Sequence, residues 1–383
     1  VRVETQRVDH SELPPLNLVY LIDTSGSMRQ SLPLLVQGLT MLTNKLRAQD
    51  TVSIVTYAGS SGIALYPTSG IEKDRIVSAL NNLYAGGSTA GAQGIQQAYS
   101  LARQSFQNQS MNRVILATDG DFNVGISDQG SLVRLIEQER ESGIFLSVLG
   151  FGRGNYQDDR LESIANHGNG QYSYIDSILE AKRVLVDRAG GTLNTVAKDV
   201  KLRLEFNPNH VGQYRLIGYD NRRLTTRQFD DDKKDAGDIG AGHMVTALYE
   251  IRPRTITATD SVTPRRYQSA PKSNNQASNE WLTAELRYKL PKANTSKLMV
   301  HRTNGPNIGA SLSRDWSLIT SLAEFGLLLK ESKHRGQATF SSALKHAQDA
   351  AYGSSDPARQ EYVALVARAA ELAALRTTAA SQH

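Results

Sequence analysis

Asp23-Thr24-Ser25-Gly26-Ser27 is a compact run of oxygen-bearing side chains with no nitrogen or sulfur donor among them. Two distant segments carry the same chemistry, Gly86-Gly87-Ser88-Thr89 and Thr118-Asp119-Gly120. The hydroxyls of Ser25, Ser27 and Thr89 are short neutral donors. Asp23 and Asp119 add negative charge, directly or through ordered water. Such a set suits a small hard cation that takes six oxygens in a near-octahedral shell, Mg²⁺ first, with Mn²⁺ or Ca²⁺ as substitutes. The two-residue spacing turns both serine side chains the same way on locally extended backbone. Gly26 and Gly120 permit the tight paths around them. Neutral ligands leave the cation's charge uncompensated, so an acidic side chain of a partner protein can complete the shell. The chemistry is capture of a carboxylate rather than catalysis.

The elements that must position these residues alternate between strand and helix. Leu16–Ile22 is a largely apolar run closed by Asp23, and Arg113–Thr118 reads as another buried strand closed by Asp119, as in strands buried on both faces. Between and after them come a helix over 31–48, strands over 51–57 and 60–67, and helices over 74–83, 92–106 and 130–142. Strand 144–151, helix 159–166, strand 171–175 and helix 177–189 complete the series. This order predicts an α/β fold, a Rossmann-like doubly wound, mostly parallel sheet with helices on both faces. Ligands of such sheets bind at the carboxyl ends of strands where the strand order reverses, which is where both aspartates fall.

After residue 195 the texture changes. Segments 200–206, 214–219, 243–251 and 281–288 read as strands without helices between them, which suits an antiparallel β-sandwich. Residues 257–279 are rich in Ser, Thr, Asn, Pro and Gln and read as a loop. From 317 to about 377 the pattern is helical, with Leu318, Leu322, Phe325 and Leu329, and then Tyr362, Leu365, Ala369 and Leu372, at helix spacing. The division is therefore 1–12, a strand pairing with the β domain; 13–190, the α/β domain; 191–312, the β-sandwich; and 313–383, helices.

Composition narrows the function classes. With 39% hydrophobic and 21% charged residues over 383 positions, the chain can build cores without covalent staples. It has no cysteine, which removes disulfides and thiolate metal sites. The net charge of +5 is scattered, with no basic block interleaved with aromatics, so nucleic-acid binding is not indicated. No window approaches the roughly 18 apolar residues of a membrane span. The first residue is Val1 rather than Met, as in a processed or trimmed form.

Other motifs carry blander readings. Asp121 reads as a solvated or loop-bracing acid. Asp230-Asp231-Asp232 lacks the spacing and glycine of an EF-hand and reads as a solvated turn. Gly150, Gly152 and Gly154 miss the dinucleotide spacing and read as a strand-to-helix connection. No H-E-x-x-H, no nucleophile elbow and no nucleophile–base–acid set is present.

The five positions Asp23, Ser25, Ser27, Thr89 and Asp119 resemble, residue by residue, the metal-ion-dependent adhesion site (MIDAS) of von Willebrand factor A domains. Further stretches resemble the bacterial YfbK-type proteins that carry such a domain: Leu116-Ala-Thr-Asp-Gly-Asp-Phe-Asn-Val-Gly125, Thr195-Val-Ala-Lys-Asp-Val200, Glu205-Phe-Asn-Pro208, Ile217-Gly-Tyr-Asp-Asn-Arg222 and Asp235-Ala-Gly-Asp-Ile-Gly-Ala-Gly242. The resemblance implies a family C-terminal domain, a cell-envelope location and a lipid anchor upstream of Val1. The leading expectation is metal-dependent protein binding in the bacterial envelope. One alternative is an accessory subunit working beside an AAA+ ATPase or transport machinery. The other is a metal-dependent hydrolase, for which the sequence supplies no further catalytic groups.

Overall fold

The computed structural model describes residues 1–6, 8, 10–58, 62–86, 91–120, 129–152, 158–188, 195–219, 224–232, 234, 236–254, 279–291, 293, 295–305 and 313–380. Thr89, Asp121 and Gly154 lie outside them.

The chain opens with a short strand, β1 (Arg2–Glu4), and then enters the α/β series: β2 (Leu16–Asp23), α1 (Leu32–Thr43), β3 (Thr51–Tyr57), β4 (Gly62–Ser69), α2 (Lys73–Asn81), α3 (Gly91–Gln104), β5 (Met111–Thr118), α4 (Gln129–Glu141), β6 (Ile144–Gly150), α5 (Asp158–His167), β7 (Tyr172–Tyr174) and α6 (Ile178–Lys182). A π-turn over Arg183–Asp187 extends α6. The strands form a six-stranded sheet in the order β4-β3-β2-β5-β6-β7. Every neighbouring pair is parallel except β3 with β4. The order reverses between β2 and β5, so the carboxyl ends of those two strands border the crevice.

Alternation along β2 shows why it is largely apolar on both faces. Leu16, Leu18, Tyr20 and Ile22 pack into one core with Leu35, Leu39 and Leu42 of α1 and Ile76 and Leu80 of α2. Val19 and Leu21 pack into the other with Ile95, Ala98 and Tyr99 of α3 and Leu132 and Ile136 of α4. Each large apolar side chain so buried contributes about 1.5–3 kcal/mol.

The helix expected over 31–48 stops at Thr43. Beyond it Asp50, fully buried, organises a turn: its carboxylate accepts from the amides of Leu16 (3.0 Å) and Arg47 (2.7 Å) and from Arg47 Nε (3.1 Å) and Nη2 (2.9 Å). The Arg47 guanidinium also donates to the carbonyls of Ser11, Leu13 and Pro14. One ion pair thus closes the turn after α1 and holds the segment leading into β2.

The later part comprises β8 (Thr195–Phe206), β9 (Val211–Ile217), α7 (Thr226–Asp230), β10 (Gly237–Gly240), β11 (Met244–Thr246), β12 (Leu248–Pro253), β13 (Glu280–Lys289) and β14 (Lys297–Asn304). Three helices follow, α8 (Arg314–Leu329), α9 (Phe340–Ala351) and α10 (Pro357–Ala380). Strands β10-β8-β13-β14 form a four-stranded sheet, and β12 pairs with β9. The single strand expected over 243–251 is two strands with different partners, β11 on β1 and β12 on β9. β1 and β11 are antiparallel, with Arg2 opposite Thr246 and Glu4 opposite Met244.

The apolar face expected on α8 is displaced. Ser317, Ser321, Phe325 and Leu328 are buried, whereas Leu322 and Leu329 are exposed. The neighbour α9 presents alanines, Ala343, Ala347 and Ala350, and small serines allow its backbone close enough for Ser321 Oγ to donate to the Ala343 carbonyl at 2.7 Å.

By compactness the chain divides into two units. One contains 1–203, 224–246 and 285–300, and the other 204–223, 247–284 and 301–383.

Candidate metal centre

Asp23 is the last residue of β2, 1% exposed, and both of its oxygens are held. Oδ1 accepts the Ser25 amide at 2.8 Å. Oδ2 accepts the Tyr57 and Thr118 hydroxyls, each at 3.1 Å. Tyr57 ends β3 in register with Asp23, and Thr118 ends β5, so the two strands flanking β2 each send a hydroxyl to one carboxylate. Burial pushes the Asp23 carboxyl above its usual range, and the Asp119 charge pushes the same way. The bonds from Ser25 and Tyr57 pull in the opposite direction. Burial and the charge of Asp23 likewise raise the Tyr57 hydroxyl far above its ordinary value, which keeps it protonated as a donor.

The loop beyond Asp23 is braced from behind. The Thr24 hydroxyl reaches the carbonyls of Tyr57 (3.0 Å) and Ala58 (2.8 Å), and the Thr24 amide also donates to Tyr57 (3.0 Å). Gly86 donates its amide to the Thr24 carbonyl at 2.8 Å, which brings the start of the second segment onto the first. A tight helical turn over Gly26–Gln30 follows, anchored by the fully buried Met28. The Ser25 and Ser27 hydroxyl oxygens lie 2.9 Å apart, Ser25 nearly buried and Ser27 exposed. That spacing is an ordinary hydroxyl–hydroxyl hydrogen bond. It also equals the edge of an octahedron built on metal–oxygen distances of about 2.0–2.1 Å.

Asp119 follows β5, and its Oδ1 is buried with no hydrogen-bond partner among the described residues. The chain turns sharply after it: Gly120 has φ 109°, a conformation side chains disfavour, and its amide donates to Thr118 Oγ1 at 3.3 Å. Gly152 has φ 92°, and a Cβ there would sit 3.5 Å from the Asp119 Cβ. This glycine, read from sequence as part of a connection, forms the wall beside Asp119.

The structure therefore brings Asp23, Ser25 and Ser27 together, and it places Thr118 in contact with them. It places Asp119 near enough for its charge to act on Asp23. Thr89 lies outside the described residues. The donor set is all oxygen, and a buried carboxylate oxygen lacks a donor among the described residues, so these residues fit a hard cation. Ser25, Ser27 and Asp119 would hold it, with Asp23 contributing charge and bracing the loop. Among the described residues no cluster of three His, Asp or Glu side chains forms a different metal site.

Tyr57 and Thr118 were not singled out from the sequence. The available signal was position: each ends a strand next to β2. The Asp230–Asp232 run is solvent-exposed at Asp230 and Asp231, and two of its acids are also paired. Asp230 pairs with Arg203, and Asp232 pairs with Arg287 and accepts the Ser296 hydroxyl. The Asp231 carbonyl accepts Lys201 Nζ.

The chain matches the family model of the von Willebrand factor type A domain over residues 17–186. Over residues 191–372 it matches the model of the C-terminal part of the uncharacterized protein YfbK. It is 42% identical over 360 residues to YfbK of Escherichia coli (strain K12), covering 93% of this chain and 62% of that protein. It is 26% identical over 209 residues to sll0103 of Synechocystis sp. (strain ATCC 27184 / PCC 6803 / Kazusa), covering 54% of this chain and 49% of that protein. The chain thus spans about half to three fifths of the length of these curated relatives. Among solved structures, a von Willebrand factor type A protein from Catenulispora acidiphila superposes with a TM-score of 0.50 at 16% identity, covering 96% of this chain and 88% of that one. That likeness concerns the fold.

Proposed function

Because the chain is a von Willebrand factor type A domain joined to a YfbK-type C-terminal domain, we propose that it is a protein-binding module that captures an acidic side chain of a partner through a hard divalent cation. A-type domains commonly mediate protein interactions. The reading rests on one observation above the others: two serine hydroxyls 2.9 Å apart next to Asp23, whose carboxyl also feels the charge of Asp119, an aspartate with one oxygen buried and without a donor among the described residues. Mg²⁺ bound there supplies an electrophilic position that a carboxylate can occupy. The chain's own part is to orient the donors. Tyr57 and Thr118 fix Asp23, Asp23 fixes the Ser25 amide, and Thr24 fastens the loop to β3.

Thr89 completes the donor set in this reading, on its sequence position alone. The reading involves no catalytic step. It places the protein in the bacterial envelope, following the YfbK resemblance. No helix among the described residues is long and apolar enough to cross a membrane.

The test is capture on the immobilised chain in Mg²⁺ against EDTA, with wild type, Asp23→Ala and Thr89→Ala side by side. Bound partner is expected to be released by EDTA, to return with Mg²⁺ or Mn²⁺, and to be lost in both variants. A partner held equally well through chelation and both substitutions would overturn the reading.

A further inference from the structure

The turn between α8 and α9 carries a hollow of about 460 Å³ lined by Leu328, Leu329, Glu331, Ser332, Lys333, Arg335 and Phe340. That volume falls in the range of small-molecule sites. Its floor is apolar, from Leu328, Leu329 and the ring of Phe340. Its rim carries two cations, Lys333 and Arg335, and neither is within ion-pair distance of a carboxylate among the described residues. Phe340 is the first residue of the twelve-residue α9, whose start is already closed by a capping box between Thr339 and Ser342, so the anion-selecting charge comes from the two side chains. The turn has a defined path: Glu331 is left-handed (φ 48°), the Ser332 amide donates to the Leu327 carbonyl at 2.9 Å, and the His334 carbonyl accepts Arg215 Nη2 at 2.8 Å. Glu331 is the one acid among the lining residues, set against two cations.

We propose that this hollow binds a small anion carrying an aliphatic arm, its head on Lys333 and Arg335, its arm on Leu328, Leu329 and Phe340. Positive charge selects the head, and a guanidinium fork suits phosphate or carboxylate oxygens. The apolar floor distinguishes such a ligand from a free inorganic ion. The site is independent of the cation centre and of the function proposed for it.

Calorimetric titration of the full chain with octyl phosphate, octanoate, inorganic phosphate and octyl glucoside tests this. At least one of the first two is expected to bind tenfold or more tightly than both inorganic phosphate and the neutral glucoside, and to weaken as salt rises. Lys333→Gln with Arg335→Gln removes two charge-assisted contacts and is expected to lower that affinity about tenfold or more. Leu329→Asp changes an exposed floor residue without touching the helix core, and is expected to lower it as well. Binding no tighter than that of the glucoside, binding matched by inorganic phosphate, or binding indifferent to all three substitutions would overturn the assignment.

Discussion

Replacing Asp119 with alanine should have opposite effects with and without metal. In the metal-free chain, Asp119 Oδ1 is buried with no donor among the described residues, and the Asp119 charge acts on Asp23, itself nearly fully buried. A buried polar oxygen without a partner costs about 1–3 kcal/mol. Asp119→Ala removes that cost, so in EDTA the variant should be more stable than wild type by about 1 kcal/mol or more. For a domain of this size each kcal/mol is worth roughly 2–4 °C in Tm. With Mg²⁺ at a hundredfold its Kd, wild type should gain about 2.7 kcal/mol, or roughly 5–11 °C, while the variant gains nothing. The ranking therefore reverses between the two buffers. Both tryptophans, Trp281 and Trp316, lie outside the A domain, so their fluorescence does not report on it. Scanning calorimetry, which resolves separate transitions, is the suitable assay. A variant less stable than wild type in EDTA, or one that gains as much from Mg²⁺, would refute the reasoning that Asp119 is held ready for a cation.

Three further outcomes are expected. Asp50→Ala strips four donors of their acceptor and leaves the Arg47 guanidinium without its carboxylate. It should destabilise the A domain by about 3–5 kcal/mol in urea unfolding, and a loss below about 1 kcal/mol would contradict the role given to the pair. Burial, and then the Arg188 charge, hold the His243 imidazole below its usual pKa. The unfolded chain therefore takes up a proton first as pH falls through about 6.5, and stability should drop from there downward. His243→Gln should flatten that dependence, and equal slopes in the two proteins would remove it. Gly170→Ala places a Cβ 1.7 Å from the Leu146 carbonyl oxygen, so β6 must shift and calorimetry should show a Tm several degrees lower; an unchanged Tm would contradict this.

The α/β architecture was legible because β2 and β5 are buried on both faces and so are largely apolar, and a run of that kind ending in aspartate is a strong mark of such a strand. The Asp-x-Ser-x-Ser spacing was legible because ligand chemistry restricts residue type. Other features left no such trace. β10 is Gly237-Asp-Ile-Gly240, too poor in side chains to show a period, and it was not read as a strand. β14 is exposed along almost its whole length, so alternation had nothing to mark. Segment 243–251 is one strand by propensity, and only its two partners divide it. On α8 the leucines suggested the packed face, but contact with the alanines of α9 rewarded small serines instead. Tyr57 and Thr118 matter through cross-strand register, a relation between residues 34 and 95 positions from Asp23 that a linear reading does not expose.

The pairing of β1 with β11 sets an order of events during synthesis. Residues 2–4 are synthesised some 240 residues before their strand partners, residues 244–246. The six-stranded sheet is complete by residue 174, so the A domain can close while those first residues are still without a neighbour. The β1 segment lacks its β11 partner for some seventy residues of further translation, and whatever shields its edge in that interval acts before the finished protein exists.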